Sequence, residues 1–519
     1  MKDDDNHILL LEKGKRGLLQ IIFGRTGIII VSLIVQILFL FAAFYKLEGF
    51  LPYFWGGNTL LSAAVVLFLF GNDDNPTIKL TWFFILAVLP VFGLILYVYI
   101  KTDLGHRLMI RRYNDILSQT EHFAPSESAC SKEELPEELQ SLASYLNSCG
   151  FPCYQNTQAQ YFPLGDDAFE VMCDELQKAE HFIFLEYFIV REGYMWGRIL
   201  EILKEKVNAG VEVRVLYDGT CAVALLPYSY PEKLEKLGIA CKMFAPLRPF
   251  VSTHYNYRDH RKIMVIDGQI AFTGGVNLAD EYINKIVRFG YWKDSGVRLD
   301  GPGAASLANI FLTFWKAKYP DEDLDAGCDL PAAVPVETDC LVQPFADTPV
   351  DREAVAKNVY LELINQAQKR LYICTPYLIL DNDLLSCLRL AAKRGVDVRI
   401  YTPGVPDKPT IYQLTRSYFP HLLRAGVKIY SYTPGFLHAK TWLVDDRIAA
   451  VGTVNLDYRS LYLHFENSVL LYGGAVLDDV RRDLAEIEKE SAAVTLADCR
   501  TGFFGTLYSA VLRLVAPLC

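Results

Sequence analysis

His260-Arg261-Lys262, four residues, Asp267, six residues and Gly274-Gly275-Val276-Asn277 form a stretch that occurs twice in the chain. The second copy is His438-Ala439-Lys440, four residues, Asp445, six residues and Gly452-Thr453-Val454-Asn455, without a gap. In each copy an apolar run follows the lysine (263–266 and 442–444), and Asp-Gly or Asp-Asp interrupts it. A second apolar run (270–273 and 448–451) then returns. Asp-Gly between apolar runs predicts a hairpin. Residues two apart on a strand share a face, so each His and Lys should point to the same side. An imidazole beside an ammonium is a nucleophile beside a phosphate clamp. The glycines let backbone approach a ligand, and Asn277 and Asn455 can donate amide hydrogen bonds to a phosphoryl oxygen. Asp267 and Asp445 fall at the turns, where fixing the turn competes with touching substrate. A lone His-x-Lys carries no weight, but six matched positions in both halves of a duplication do.

The surrounding sequence repeats as well. Ile183-Phe184-Leu185-Glu186-Tyr187 reads as a buried strand and Ile373-Cys374-Thr375-Pro376-Tyr377 matches it. A helical stretch ending in Ala209-Gly210 precedes the strand 211–217, and Arg394-Gly395 precedes its counterpart at 396–401. Glycine between a helix and a β-branched strand is a helix stop. This spacing implies βαβ units and a mainly parallel sheet covered by helices. The expected organisation is a membrane region over 1–105, a linker over 106–150, a first domain over 151–325 and a linker over 326–350. A second domain over 351–490 and an apolar C-terminal segment over 491–519 complete it.

The hydrophobic residues, 51% of 519, are not spread evenly, and the first hundred positions hold three long apolar runs. Apolar runs occupy 27–45, about 50–70, and 80–100, and a span needs roughly 20 such residues. Lys13, Lys15, Arg16 and Arg25 precede the first run, and Lys101, Arg107, Arg111 and Arg112 follow the third. The positive-inside rule then puts both ends in the cytoplasm, with a re-entrant second run, broken by Pro52 and Gly56-Gly57, reconciling three runs with an even number of crossings. The formal charge of −10 argues against a nucleic-acid surface. Twelve cysteines without paired clusters suggest neither a zinc knuckle nor a disulfide framework.

On these residues the chain resembles the phospholipase D superfamily, whose signature is the HKD motif. Asn256-Tyr257-Arg258-Asp259 before His260, and Leu456-Asp457-Tyr458-Arg459-Ser460 after Asn455, are similar to bacterial cardiolipin synthases. The resemblance implies an α/β fold of two tandem phospholipase D-like α/β/α domains in a pseudo-twofold arrangement, preceded by an α-helical transmembrane segment. It implies one active site from both copies, with His260, Lys262, Asp267, His438, Lys440 and Asp445 catalytic. His260 is then the nucleophile and His438 the acid–base, with the reverse assignment open. Asn277 and Asn455 would bind phosphate. Asp294 and Glu466 would hold the histidine tautomers, and Asp407-Lys408 and Arg459-Ser460 match positions near the second motif. The implied substrate is phosphatidylglycerol in the cell membrane, with neither a metal nor an organic cofactor and no nucleic acid. The rival readings are a phospholipase D releasing phosphatidic acid, an HKD nuclease and a non-enzymatic membrane scaffold.

Overall fold

In a computed structural model the described residues are 135–245, 257–318, 333–351 and 353–518, with shorter stretches before them, chiefly 64–71 and 75–88. They fall into two compact units, one within 110–246 and 257–501, the other within 13–109 and 502–519.

The larger unit contains two large sheets and, among the described residues, one two-stranded sheet. The first comprises β1 (Gln158–Phe162), β2 (Phe182–Tyr187), β3 (Glu212–Asp218), β4 (Ala240–Phe244), β6 (Lys262–Ile266), β7 (Ile270–Gly274) and β9 (Gly296–Asp300). Their order is β1-β9-β7-β6-β2-β3-β4. The second comprises β10 (Leu341–Asp347), β11 (Arg370–Cys374), β12 (Asp397–Pro403), β13 (Lys428–Tyr432), β15 (Thr441–Val444), β16 (Ile448–Gly452), β17 (His464–Tyr472) and β18 (Ser491–Val494). It runs β10-β17-β16-β15-β11-β12-β13-β18. The same topological core, a hairpin beside three parallel strands, appears in both.

The expectation of a mainly parallel sheet is corrected. Along the two strand orders just given, β2-β3-β4 and β11-β12-β13 are parallel and the remaining neighbours are antiparallel. The motif strands β6 and β15 lie antiparallel beside β2 and β11, and each tight turn returns the second hairpin strand antiparallel to the first. The predicted 373–377 strand ends at Cys374, since Pro376 has no N–H for a ladder. The strand β18 also extends the second sheet beyond residue 490.

Helices cover the sheets for ordinary reasons. The helix Tyr194–Asn208 buries Met195, Trp196, Ile199, Leu200, Ile202 and Leu203 on one face. Full burial of such side chains contributes about 1.5–3 kcal/mol each. β2 is buried at all six positions, including Glu186, whose carboxylate lies 2.7 Å from the guanidinium of the equally buried Arg261.

Two short strands leave their own halves. β5 (Arg258–Asp259) pairs in parallel with His464 and Phe465 of β17. β8 (Tyr291–Lys293) pairs in parallel with β14 (Gly435–Leu437). The segment before each motif histidine is therefore held by the other half, and this reciprocal exchange gives the pair its pseudo-twofold character.

In the smaller unit, the helix Pro76–Val88 starts with Pro at its first position, and Asn75 Oδ1 accepts from Thr77 N. Thr81 Oγ1 donates to Leu514 O of the C-terminal helix Phe503–Val515 at 2.7 Å. Leu512 of that helix is buried, while Phe503, Phe504, Leu507, Tyr508 and Val511 are exposed. Among the described residues no helix is long and apolar enough to cross a membrane. The first two expected spans lie mostly outside the described residues, and the third lies partly outside them.

Candidate active site

Each motif hairpin turns through two left-handed residues, Asp267-Gly268 (φ 52° and 69°) and Asp445-Asp446 (φ 51° and 55°). Those angles define a type I′ turn, whose twist matches the strands. The Asp267 carboxylate accepts from the backbone N–H groups of Glu180, His181 and Phe182, each at 2.8 Å. Asp445 does the same for Gln368, Lys369 and Arg370. At about 3.3 Å per residue, five residues of strand put each aspartate about 16 Å from its motif lysine. The catalytic role expected of Asp267 and Asp445 is therefore corrected: both carboxylates anchor the hairpin, remote from the histidines.

The histidines lie where the chain changes sheets. His260 N donates to Phe465 O, and His438 N donates to Lys293 O, so each histidine backbone is pinned to the opposite half. The side chains follow the same rule. His260 Nδ1 is 2.9 and 3.0 Å from the two Glu466 oxygens, and His438 Nδ1 is 2.6 Å from Asp294 Oδ2. A carboxylate on Nδ1 fixes the tautomer and leaves Nε2 for chemistry. The structure thus brings together His260, Lys262, Asp294, His438, Lys440 and Glu466, all buried.

Tight packing explains two motif glycines differently from the ligand approach expected of them. A Cβ at Gly275 would overlap the Asp294 carboxylate, and one at Gly452 would overlap Ser468 and the Asn467 backbone. Both glycines make room for the strand that delivers an orienting carboxylate. Across the halves, Asn467 Nδ2 donates to Thr273 Oγ1, and the Ser295 and Thr441 hydroxyls share a hydrogen bond.

The two asparagines are not equivalent. Asn277 Oδ1 accepts from Ile189 N, and its Nδ2 donates to the Tyr282 hydroxyl at 2.8 Å. Tyr282 in turn packs edge-on against His438 with ring centroids 5.5 Å apart. One of the two Asn277 amide hydrogens thus braces a wall of the site. Asn455 Oδ1 is buried without a hydrogen-bond partner among the described residues. Asp407, also near the second motif, accepts from the Tyr377 hydroxyl.

Burial dominates the electrostatics. It pushes the His260 imidazole down to about 3, against the pull of Glu466. Burial, helped by the Lys440 ammonium, takes His438 to about 4. Although burial pulls the carboxyls up, His260 holds Glu466 below the usual range, and His438 with Lys440 does the same for Asp294. Burial also lowers Lys262 to about 8 and Lys440 to about 7, opposed by the two carboxylates. At neutral pH the free site therefore holds two neutral imidazoles, two carboxylates, a Lys262 ammonium and a Lys440 near its midpoint, whose charged form gains from an anion. Lys440 Nζ lies 2.9 and 3.0 Å from the His438 ring nitrogens, and Lys262 Nζ donates to His260 O at 2.6 Å.

Sequence reasoning missed the buried layer beneath the motif. Arg261 lies between Glu186 and Asp259, over the Phe314 ring at 4.1 Å. Asp218 accepts from Asp259 N and lies 3.6 Å from Arg258. Charged residues alternating with the motif positions on one strand were its available signal.

The family described as "Cardiolipin synthase, PLD-like domain" matches residues 172–288 and 360–487, the segments that carry the two hairpins. A cardiolipin synthase of Halalkalibacterium halodurans is 38% identical over 80% of this chain and 83% of its own length. The chain belongs to the cardiolipin synthase family of the phospholipase D superfamily. A cardiolipin synthase of Alkalihalophilus pseudofirmus is 35% identical over 92% of this chain and 97% of its own. An uncharacterized protein of Streptococcus mutans is 46% identical over 87% and 99%. Family membership makes the chain a phosphatidyltransferase. In fold it is similar to the crystal structure of a phosphatidylserine synthase from Haemophilus influenzae, with a TM-score of 0.55 at 17% identity. That match covers 74% of this chain and 98% of the other.

Proposed function

We propose that the chain transfers a phosphatidyl group between two phosphatidylglycerol molecules, giving cardiolipin and glycerol through a phosphohistidine. The observation that carries this reading is the reciprocal pairing of His260 with Glu466 and of His438 with Asp294. Each reactive nitrogen is Nε2, and neither half is complete alone.

His260 Nε2 attacks phosphorus as the bond to the glycerol oxygen breaks, and His438 gives that oxygen a proton. A second phosphatidylglycerol then offers a hydroxyl. His438 takes its proton, the oxygen attacks phosphorus, and the N–P bond breaks. One group thus serves as acid and then base. His438 is neutral in the free site, and an arriving phosphodiester anion favours its protonated form. Lys262, Lys440 and the Asn455 amide stabilise the charge that builds on the non-bridging oxygens. Glu466 faces the positive charge that develops on the His260 ring. No residue in this scheme requires a metal.

The acceptor could also be water, giving phosphatidic acid. The cardiolipin synthase relatives favour the lipid alcohol. The apolar runs at 27–45, about 50–70, and 80–100 favour a multi-pass cell-membrane protein with its larger unit in the cytoplasm. Incubating the purified full chain with phosphatidylglycerol alone tests the reading. Cardiolipin with equimolar glycerol supports it; phosphatidic acid as sole product overturns it.

A further inference from the structure

A third imidazole stands beside His260. His464 is buried, its ring centroid is 5.5 Å from that of His260, and among the described residues neither of its nitrogens has a hydrogen-bond partner. His464 Nδ1 lies 3.6 Å from Glu466 Oε1, the oxygen that is 3.0 Å from His260 Nδ1. One ligand atom from each of His260, His464 and Glu466 lies within 4.8 Å of the others. The other half is built differently. Two residues before Asp294 stands Trp292, whose Nε1 is 3.4 Å from Asp294 Oδ2. An indole N–H can donate but has no lone pair for a metal.

We propose that His260, His464 and Glu466 form a binding site for a divalent transition-metal cation of the zinc class, which inhibits by occupying His260. Zinc binds imidazole nitrogen and carboxylate oxygen at about 2.0–2.2 Å, so tetrahedral ligand atoms stand about 3.3–3.5 Å apart. The separations of 3.0 and 3.6 Å around Glu466 Oε1 bracket that spacing. Two imidazoles with one carboxylate suit zinc, cobalt or copper rather than magnesium or calcium, which prefer oxygen ligands throughout. When the cation takes His260 Nδ1, the proton held there moves to Nε2. The lone pair that attacks phosphorus is then lost. Binding of the cation depends on the side chains alone, whereas its inhibitory effect rests on the transfer reaction proposed above.

The test uses the full chain, chelator-treated, in phosphatidylcholine nanodiscs titrated with Co²⁺. The expected result is one tightly bound cobalt with visible d–d absorption and no thiolate charge-transfer band, displaced by Zn²⁺. His464→Gln should weaken that binding by about 100-fold or more, beyond what loss of a supporting group around a metal costs. Zn²⁺ should also protect His260 and His464 of the unmodified chain from diethyl pyrocarbonate, read by peptide mass spectrometry, and this arm decides if His464→Gln does not fold. In phosphatidylglycerol vesicles Zn²⁺ should inhibit the unmodified chain, and His464→Gln should resist it relative to its own metal-free rate. Absence of cobalt binding, unchanged affinity in folded His464→Gln, or protection that excludes His464 overturns the site. Cobalt bound as described, in a chain that makes no cardiolipin, sinks the transfer reading and leaves the site standing.

Discussion

Replacing Glu466 with Gln removes one charge while keeping the shape that faces His260. In the structure the carboxylate oxygens stand 2.9 and 3.0 Å from His260 Nδ1, in a fully buried setting. As the N–P bond forms, the ring becomes cationic. Two unit charges about 4 Å apart at an effective dielectric of about 20 interact by ~4 kcal/mol. Each 1.36 kcal/mol corresponds to about a tenfold change in rate, which gives about 10³. Gln retains a neutral hydrogen bond worth about 1 kcal/mol, so kcat should fall by about 10²- to 10³-fold. The assay is initial glycerol release from phosphatidylglycerol vesicles, with the thermal midpoint confirming that the variant is folded. A folded Glu466→Gln enzyme within tenfold of the parent would refute the reasoning, because the cross-half carboxylate would then not stabilise the charged ring.

Other outcomes follow from the same geometry. Asp267→Ala takes the acceptor from three backbone N–H groups and forces Ala to φ 52°, so stability should drop by about 2–4 kcal/mol. The folded fraction should turn over within tenfold of the parent; a loss above 100-fold at full folding would put Asp267 at the phosphorus after all. Asn277→Ala and Asn455→Ala should separate, the first lowering the melting midpoint and the second chiefly lowering kcat, and equal effects of both kinds would contradict the asymmetry. The pH profile carries a sign from the lysines, whose charged forms exist below their lowered values. With Lys440 near 7 and Lys262 near 8, kcat/KM should decline as pH rises through that interval. Bound phosphodiester favours the ammonium, so the kcat limb should lie at higher pH; a flat kcat/KM across the interval would remove the clamp role.

The hairpins and their histidines were legible because their signals are local and occur twice. Asp267-Gly268 announced its turn, and the apolar runs on either side fell within a residue of β6 and β7. The candidate carboxylates Asp294 and Glu466 were legible only through family resemblance. Nothing local says that Arg258–Asp259 will pair with His464–Phe465, more than two hundred positions away. The mixed sheet was hidden for a related reason: strand–helix–strand spacing is visible, but where a hairpin inserts is decided by which edge it finds. The contact of Asn277 with the Tyr282 hydroxyl was hidden because the two become neighbours only after the short turn at Asp280–Ile283 forms. His464 drew no notice, since a single histidine on a strand has no pattern until a second imidazole lies beside it.

The central claim is a phosphatidyl group carried on His260 between two lipids. Rapid quenching of the enzyme in denaturing detergent near neutral pH, which preserves the acid-labile N–P bond, during turnover of phosphatidylglycerol, followed by peptide mass spectrometry without acid steps, tests it most directly. The account predicts a phosphatidyl adduct on the peptide containing His260, absent in His260→Ala and formed at the rate of glycerol release. Cardiolipin accumulating with no adduct on either motif histidine would contradict it.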